Sequence, residues 1–146
     1  MNQSELIELL FPSDMKYLGA VDAVVQDLAR EFSFSDKCIN DVSTAIVEAC
    51  TNAIEHGNKY SRNKRVRVAI RFEGKTITTQ VCDQGDGFDF KYLMEKDDPP
   101  DPLSERGRGI IIMKALTDSL RFSHDPDKGL CVELTKHRIE NGDGDS

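Results

Sequence analysis

Basic side chains are scarce in this chain: 19 lysines and arginines stand against 26 aspartates and glutamates, a formal net charge of −7 over 146 residues. Duplex binding depends on Lys and Arg neutralising phosphates, so the deficit and the scatter of the basic residues argue against a nucleic-acid partner. Long apolar runs are absent too. None approaches the roughly 18 residues needed to span a bilayer, and the acidic, polar start MNQSELIELL has no basic segment of the kind that opens a secretory leader. These absences predict a cytoplasmic protein without membrane contact.

Cysteine is sparse and dispersed. Cys38, Cys50, Cys82 and Cys131 form no CxxC, and no histidine stands at zinc spacing from them, which argues against a zinc site. Cys50 and Cys82 fall among apolar neighbours in a predicted helix and a predicted strand, where a free cysteine packs as a small hydrophobe. The length leaves no room for a repeat or a second domain. A single domain over residues 1–137 is expected, followed by a disordered acidic tail over 138–146.

The pattern that is present alternates strands with helices. Residues 6–11, LIELLF, suit a short strand, and Pro12-Ser13-Asp14 reads as the start of a helix running to about Phe32 with Leu18, Val21, Val25, Leu28 and Phe32 on one face. Ser35 and Asp36 can cap a second helix carrying Ile39, Val42, Ile46, Ala49 and Ala53, with Gly57 as its natural terminator. Val66, Val68, Ile70 and Phe72 alternate with polar residues, Gly74-Lys75 makes a turn, and residues 77–83 return as the second strand of a hairpin. A third helix is expected to follow Gly109. Strands near 120–124 and 130–136, joined by Asp125-Pro126-Asp127-Lys128-Gly129, complete an α+β two-layer sandwich: a mixed, mostly antiparallel sheet with helices on one face. The Pro- and acid-rich stretch between Phe88 and Arg106 fits a solvated loop or a lid over a ligand.

Three groups of residues point to chemistry. Glu48, Asn52 and His56 recur every four residues, which on a helix sets a carboxylate, an amide and an imidazole along one face. Glu48 suits a general base for an attacking hydroxyl, and Asn52 offers a neutral oxygen to Mg²⁺, although each also fits a solvated helix face. His56 is expected in the pocket wall without a catalytic role. Asp83, at a strand end, can accept a proton from an adenine amino group, and Gly85 and Gly87 let the chain turn closely against a base and ribose. Gly107 and Gly109, at a helix start, offer backbone N–H groups to a polyphosphate, with Arg106 and Arg108 adding charge. Met94 and Met113 read as packing residues.

Glu48-x3-Asn52-x3-His56, Asp83-Gln84-Gly85-Asp86-Gly87 and Arg106-Gly107-Arg108-Gly109-Ile110 together resemble the N, G1 and G2 boxes of the GHKL (Bergerat-fold) ATPases. Within that superfamily the chain is most similar to the small bacterial anti-sigma factor serine/threonine kinases of the RsbW and SpoIIAB type, over roughly residues 5–137. The resemblance implies an ATP- and Mg²⁺-dependent kinase with Glu48 as base and Asp83 reading adenine. It also implies partners: a STAS-domain anti-anti-sigma protein as phosphoryl acceptor, an RNA polymerase sigma factor as captive, and a second copy of the chain in a homodimer. One departure stands out. Where the family has Gly-Thr-x-Val at the start of the last strand, this chain has Gly129-Leu130-Cys131-Val132, and a thiol is a poor substitute for the threonine hydroxyl in holding adenine. Two other classes compete. A non-catalytic, nucleotide-gated binding module would keep all three boxes and transfer nothing. A hydrolytic GHKL ATPase or a sensor histidine kinase domain would require further domains.

Overall fold

The computed structural model describes residues 4–85, 104–127 and 129–138. The expectations for Gly87, Met94, the lid between the glycine motifs and the acidic tail fall outside those residues.

Five strands form one sheet in the order β1-β2-β3-β5-β4: β1 Ser4–Pro12, β2 Arg65–Glu73, β3 Thr76–Cys82, β4 Ser119–Asp125 and β5 Gly129–His137. Every pairing among the described residues is antiparallel, in agreement with the mostly antiparallel sheet expected. The period-two pattern of β2 is realised literally. Val66, Val68, Ile70 and Phe72 are buried, and the residues between them are partly or fully exposed. Gly74, at φ +59°, makes the β2–β3 turn in a region that costs a side chain but not glycine.

Three helices cover the buried face: α1 Leu18–Glu31, α2 Asp36–Asn52 and α3 Glu105–Leu116. A 3₁₀ turn, Met15–Tyr17, leads into α1, and its first turn is capped by Asp14, whose carboxylate accepts from the Lys16 N–H. Ser35 caps α2 by accepting from the Cys38 N–H at 3.2 Å. The helices then bury their apolar stripes against the sheet: Val21, Val25 and Ala29 from α1, and Ile39, Val42, Ile46 and Ala49 from α2. Phe32, just past α1, stacks on Phe72 of β2 with ring centroids 4.2 Å apart. Each fully buried Val or Ile here stabilises the fold by about 1.5–3 kcal/mol.

Two helix ends differ in detail from expectation. Past Asn52 the helix widens into a π-helical turn, Ala53–Gly57. The left-handed residues that reverse the chain after it are Lys59 and Tyr60, while Gly57 does not have positive φ. The helical run does end at Gly57, as expected, but as its last residue and not as a left-handed terminator beyond it. The lack of a side chain at Gly57 serves a contact described below. The third helix begins at Glu105, ahead of the glycines, because Ser104 caps it and its hydroxyl accepts from the Gly107 N–H at 2.9 Å.

The cysteine expectation is corrected as well. Cys82 and Cys131 face each other across β3 and β5 and form a disulfide. Cys38 and Cys50 are the free, buried cysteines. Burial pushes the Cys50 thiol up to about 12, which keeps it protonated and inert as expected for a packed thiol.

Candidate functional site

The end of α2, the end of β3, the first turn of α3 and the start of β5 converge on one cleft. Its floor is apolar, built from Ala49 and Ala53 of α2 and its extension, Val81, Met113, Phe122, Leu130 and Val132. Asn52, Asp83 and Arg106 supply the polar groups on its walls. A mostly apolar cleft with a few convergent polar groups is the usual form of a small-molecule site. Met113, fully buried, is both a packing residue and part of the floor.

Glu48 and Asn52 stand one turn apart, and both side chains reach the backbone of Gly109. A Cβ at Gly109 would lie 3.1 Å from Asn52 Nδ2, 3.3 Å from Asn52 Oδ1 and 3.3 Å from Glu48 Oε2. Glycine there lets α3 approach α2 closely enough for the two side chains to bracket its first turn. The role expected of Gly107 and Gly109, offering free N–H groups to phosphates, is narrowed. In this structure the Gly107 N–H is already bonded to Ser104 Oγ, and the Arg108 N–H to the Ser104 carbonyl at 3.0 Å. Arg106 faces the cleft, and Arg108 is exposed.

Asp83 is buried at the other end, 3% exposed. Its Oδ1 accepts from the Gly85 N–H at 2.9 Å and, more weakly, from the Leu130 N–H at 3.4 Å. Burial raises its pKa from the usual carboxylate value; the two backbone bonds and the positive charge of Arg106 and His124 oppose that rise. Three glycines pack around Asp83, two near its carboxylate and one against its backbone. A Cβ at Gly57 would sit 1.9 Å from Asp83 Oδ2, and one at Gly85 would sit 2.4 Å from the Gly57 carbonyl oxygen. A Cβ at Gly129, where φ is +89°, would sit 2.0 Å from the Asp83 carbonyl oxygen.

A residue the sequence reading passed over holds this end together. Asn58 is 1% exposed and donates from Nδ2 to Ser13 Oγ (2.7 Å) and to the Arg65 carbonyl (3.0 Å). Its Oδ1 accepts the Gln84 N–H at 2.7 Å, immediately after Asp83. An asparagine directly after Gly57 was the available signal, but only the fold shows that it is buried.

His56 is absent from the residues lining the cleft. The π-helical turn adds a residue to the repeat and breaks the four-residue stripe after Asn52. The buried His56 Nε2 has no hydrogen-bond partner among the described residues, and the Glu55 carboxylate is 3.7 Å away. The departure at 129–132 is also reassigned. Side chains alternate along β5, so Leu130 and Val132 line the cleft and Cys131 points to the opposite face of the sheet. An apolar leucine, not a thiol, occupies the wall where a hydroxyl was expected.

Glu48 does not line this cleft. It belongs to a separate groove of about 330 Å³ between α1 and α2, together with Leu18, Gly19, Asp22, Gln26, Asn40, Ser43, Thr44 and Val47. Its Oε2 also lies 3.3 Å from where a Cβ at Gly109 would sit, so the carboxylate packs on α3, the helix whose first turn borders the cleft.

A family model described as a histidine kinase-like ATPase domain matches residues 11–136. The chain is similar to the serine-protein kinase RsbW of Bacillus subtilis, with 30% identity over 142 residues covering 93% of this chain and 88% of the relative. RsbW of Bacillus pumilus is 31% identical over 145 residues, with the same coverage of 93% and 88%. Among solved structures, the RsbU and RsbW domains of a Mycobacterium tuberculosis protein superpose with a TM-score of 0.67 at 20% identity, over 92% of this chain and 32% of that one. That likeness supports the fold alone.

Proposed function

The chain belongs to the histidine kinase-like ATPase (GHKL) family, and on that premise we propose that it is an ATP-dependent protein serine/threonine kinase that acts as an anti-sigma factor. The observation that carries the reading is that Glu48 and Asn52, one turn apart on α2, both pack on Gly109 of α3 while lining different cavities, Glu48 the α1–α2 groove and Asn52 the cleft.

In this reading ATP lies in the cleft with adenine toward Asp83. The carboxylate accepts from the exocyclic amino group, and the apolar floor of Val81, Met113, Leu130 and Val132 takes the ring. Arg106 and the first turn of α3 meet the phosphates, where a positive helix end favours anions. Gly85 and Gly87 are assigned to contact with base and ribose, and Arg108 adds charge at the rim. The serine hydroxyl of the acceptor enters from the α1–α2 groove, and Glu48 accepts its proton as the oxygen attacks the γ-phosphorus and the bond to the β,γ-bridging oxygen breaks, ADP leaving. Asn52 is the protein ligand for Mg²⁺. Its amide oxygen is uncharged and hard, which fits an ion that keeps most of its waters. With the ion held there, the site would gain positive charge beside the transferred group.

The acceptor is a serine on a STAS-type anti-anti-sigma protein, and the captive is an RNA polymerase sigma factor; the relatives named as serine-protein kinases support this assignment. The chain works in the cytoplasm; among the described residues no helix is long and apolar enough to cross a membrane. It works as a homodimer, and edge strand β1 offers the surface: Leu6 and Leu10 on its outer face are 47% and 60% exposed. The purified protein, given γ-labelled ATP, Mg²⁺ and the STAS proteins of its own organism, should label a serine on one of them, and Glu48→Gln should abolish the labelling while keeping nucleotide affinity. ATP binding without labelling of any candidate would favour the non-catalytic, nucleotide-gated module.

A further inference from the structure

Cys82 is the last residue of β3 and pairs directly with Cys131 of β5. The next pair along the ladder, Asp83 and Leu130, is hydrogen-bonded, the Asp83 N–H donating to the Leu130 carbonyl at 2.9 Å. Cys82 and Cys131 therefore form a non-hydrogen-bonded pair, the kind in which antiparallel strands approach most closely, and their Cα atoms are 4.1 Å apart. The disulfide lies on the outer face of the sheet, away from the helices, and it closes a loop over a separation of 49 residues. That loop contains Asp83, Gly85, Gly87, Arg106 and Gly109. Of the residues assigned to the nucleotide, Asn52, Val81 and Val132 lie outside it.

We propose that Cys82 and Cys131 are a reversible dithiol/disulfide couple that sets the nucleotide affinity of the cleft, the disulfide form binding ATP more tightly. The proposal rests on the reading of the cleft as the nucleotide site. The bond pins the strand ends that carry Asp83 and Leu130, so these two cleft residues have less freedom to lose when ATP binds; without it, the hydrogen-bonded Asp83–Leu130 pair is the unpinned, frayed end of the ladder. Reduction proceeds by thiol–disulfide exchange with an external dithiol. Its thiolate attacks one sulfur, the other leaves as a thiolate and takes a proton, and the reductant's second thiol resolves the mixed disulfide. The reductant ends as a disulfide and the chain as two thiols, a balanced two-electron, two-proton transfer; a disulfide oxidant runs it backwards. Both cysteines are nearly buried, 3% and 2% exposed, so exchange requires local opening at this end of the ladder. In a cytoplasmic setting, where persistent disulfides are rare, a switching role is the ordinary one for such a pair.

The test equilibrates the full chain in buffers of graded dithiothreitol ratio, counts thiols after denaturing alkylation and measures Mg·ATP affinity by calorimetry on each end state. Two alkylated cysteines should become four, reversibly, and the reduced form should bind ATP roughly threefold or more weakly, as loss of preorganisation predicts. Cys82→Ala/Cys131→Ala should match the reduced form and ignore redox state, with circular dichroism confirming that it folds. A pair that does not titrate, or equal affinities in the two states, would overturn the proposal and leave the nucleotide site standing. Absence of ATP binding in both states would remove the nucleotide site itself, and the proposal with it.

Discussion

Gly57 and Asp83 touch so closely that the smallest side chain at residue 57 would place its carbon 1.9 Å from the Asp83 carboxylate. The end of α2 and the end of β3 are thus fitted to each other through a missing atom. Because Asp83 Oδ1 is tied to the Gly85 and Leu130 N–H groups, the carboxylate cannot swing aside without breaking both bonds.

Gly57→Ala should therefore act on the ligand more than on the fold. The alanine is compatible with the backbone, since φ is not positive there, but it must displace a buried acid. Overpacking of this kind costs about 1–3 kcal/mol. Calorimetry should show ATP affinity falling by an order of magnitude or more, because the displaced carboxylate no longer meets the adenine amino group. Unchanged affinity would mean that Asp83 does not contact the base.

The raised pKa of Asp83 gives a pH dependence with a definite sign. Burial, its largest cause, favours the protonated acid in the folded, ligand-free protein. The associated stability is fully present below the unfolded carboxylate value and is lost as pH rises through the folded one. An adenine amino group needs an acceptor, so binding favours the carboxylate. Adenosine, which has no phosphate to titrate, should bind more tightly as pH rises through Asp83's raised value and level off above it. Asp83→Asn should flatten that profile and, at neutral pH, stabilise the free protein by removing a buried charge. A wild-type affinity that stays flat across the carboxylate range would refute the assignment.

Much of this architecture is legible in the residues themselves. The alternation of β2, the Ser35 cap and the Gly74 turn depend on local chemistry, and each element appears where its pattern lies. What was not legible depends on contacts between distant segments. Gly57 reads only as a helix end until β3 is laid beside it. The Glu48-Asn52-His56 stripe assumes a regular helix, and the π-helical turn after Asn52 takes His56 out of line. Cys82 and Cys131 look unrelated until β3 and β5 are seen to be neighbours, and the strand register then shows that Leu130, not Cys131, faces the cleft. Glu48 and Asn52 were paired by spacing alone, yet their meeting point at Gly109 needed the packing of α3 on α2.

Asn58 is the test of how rigidly the Asp83 end is held. Its three side-chain hydrogen bonds join the chain after β1, the start of β2 and the residue after Asp83. Asn58→Ala leaves buried partners unsatisfied, which costs about 2–3 kcal/mol. For a domain of this size that corresponds to a fall in Tm of about 5–10 °C. Asn58→Asp should fare no better, since a carboxylate cannot donate to Ser13 and Arg65. A Tm within a degree of wild type in the alanine variant would mean that water replaces the amide at no cost.

Gly109 separates binding from transfer. A Cβ there would meet Asn52 at 3.1 Å and 3.3 Å and Glu48 at 3.3 Å, tighter than ordinary contact but short of a clash. Gly109→Ala is helix-compatible and removes the entropy penalty glycine brings to a helix, so the fold should be retained and even gain up to about 1 kcal/mol. The added methyl instead pushes the Glu48 and Asn52 side chains aside by a few tenths of an ångström. Adenine recognition at Asp83 lies at the other end of the cleft and should be untouched. The expected result is a Kd for adenosine equal to wild type, weaker binding of Mg·ATP, and phosphoryl transfer reduced by about 10²-fold, the scale on which small misplacements of catalytic groups act. Transfer at the wild-type rate would show that the bracket around Gly109 is packing alone, and the base would then have to be sought elsewhere than Glu48.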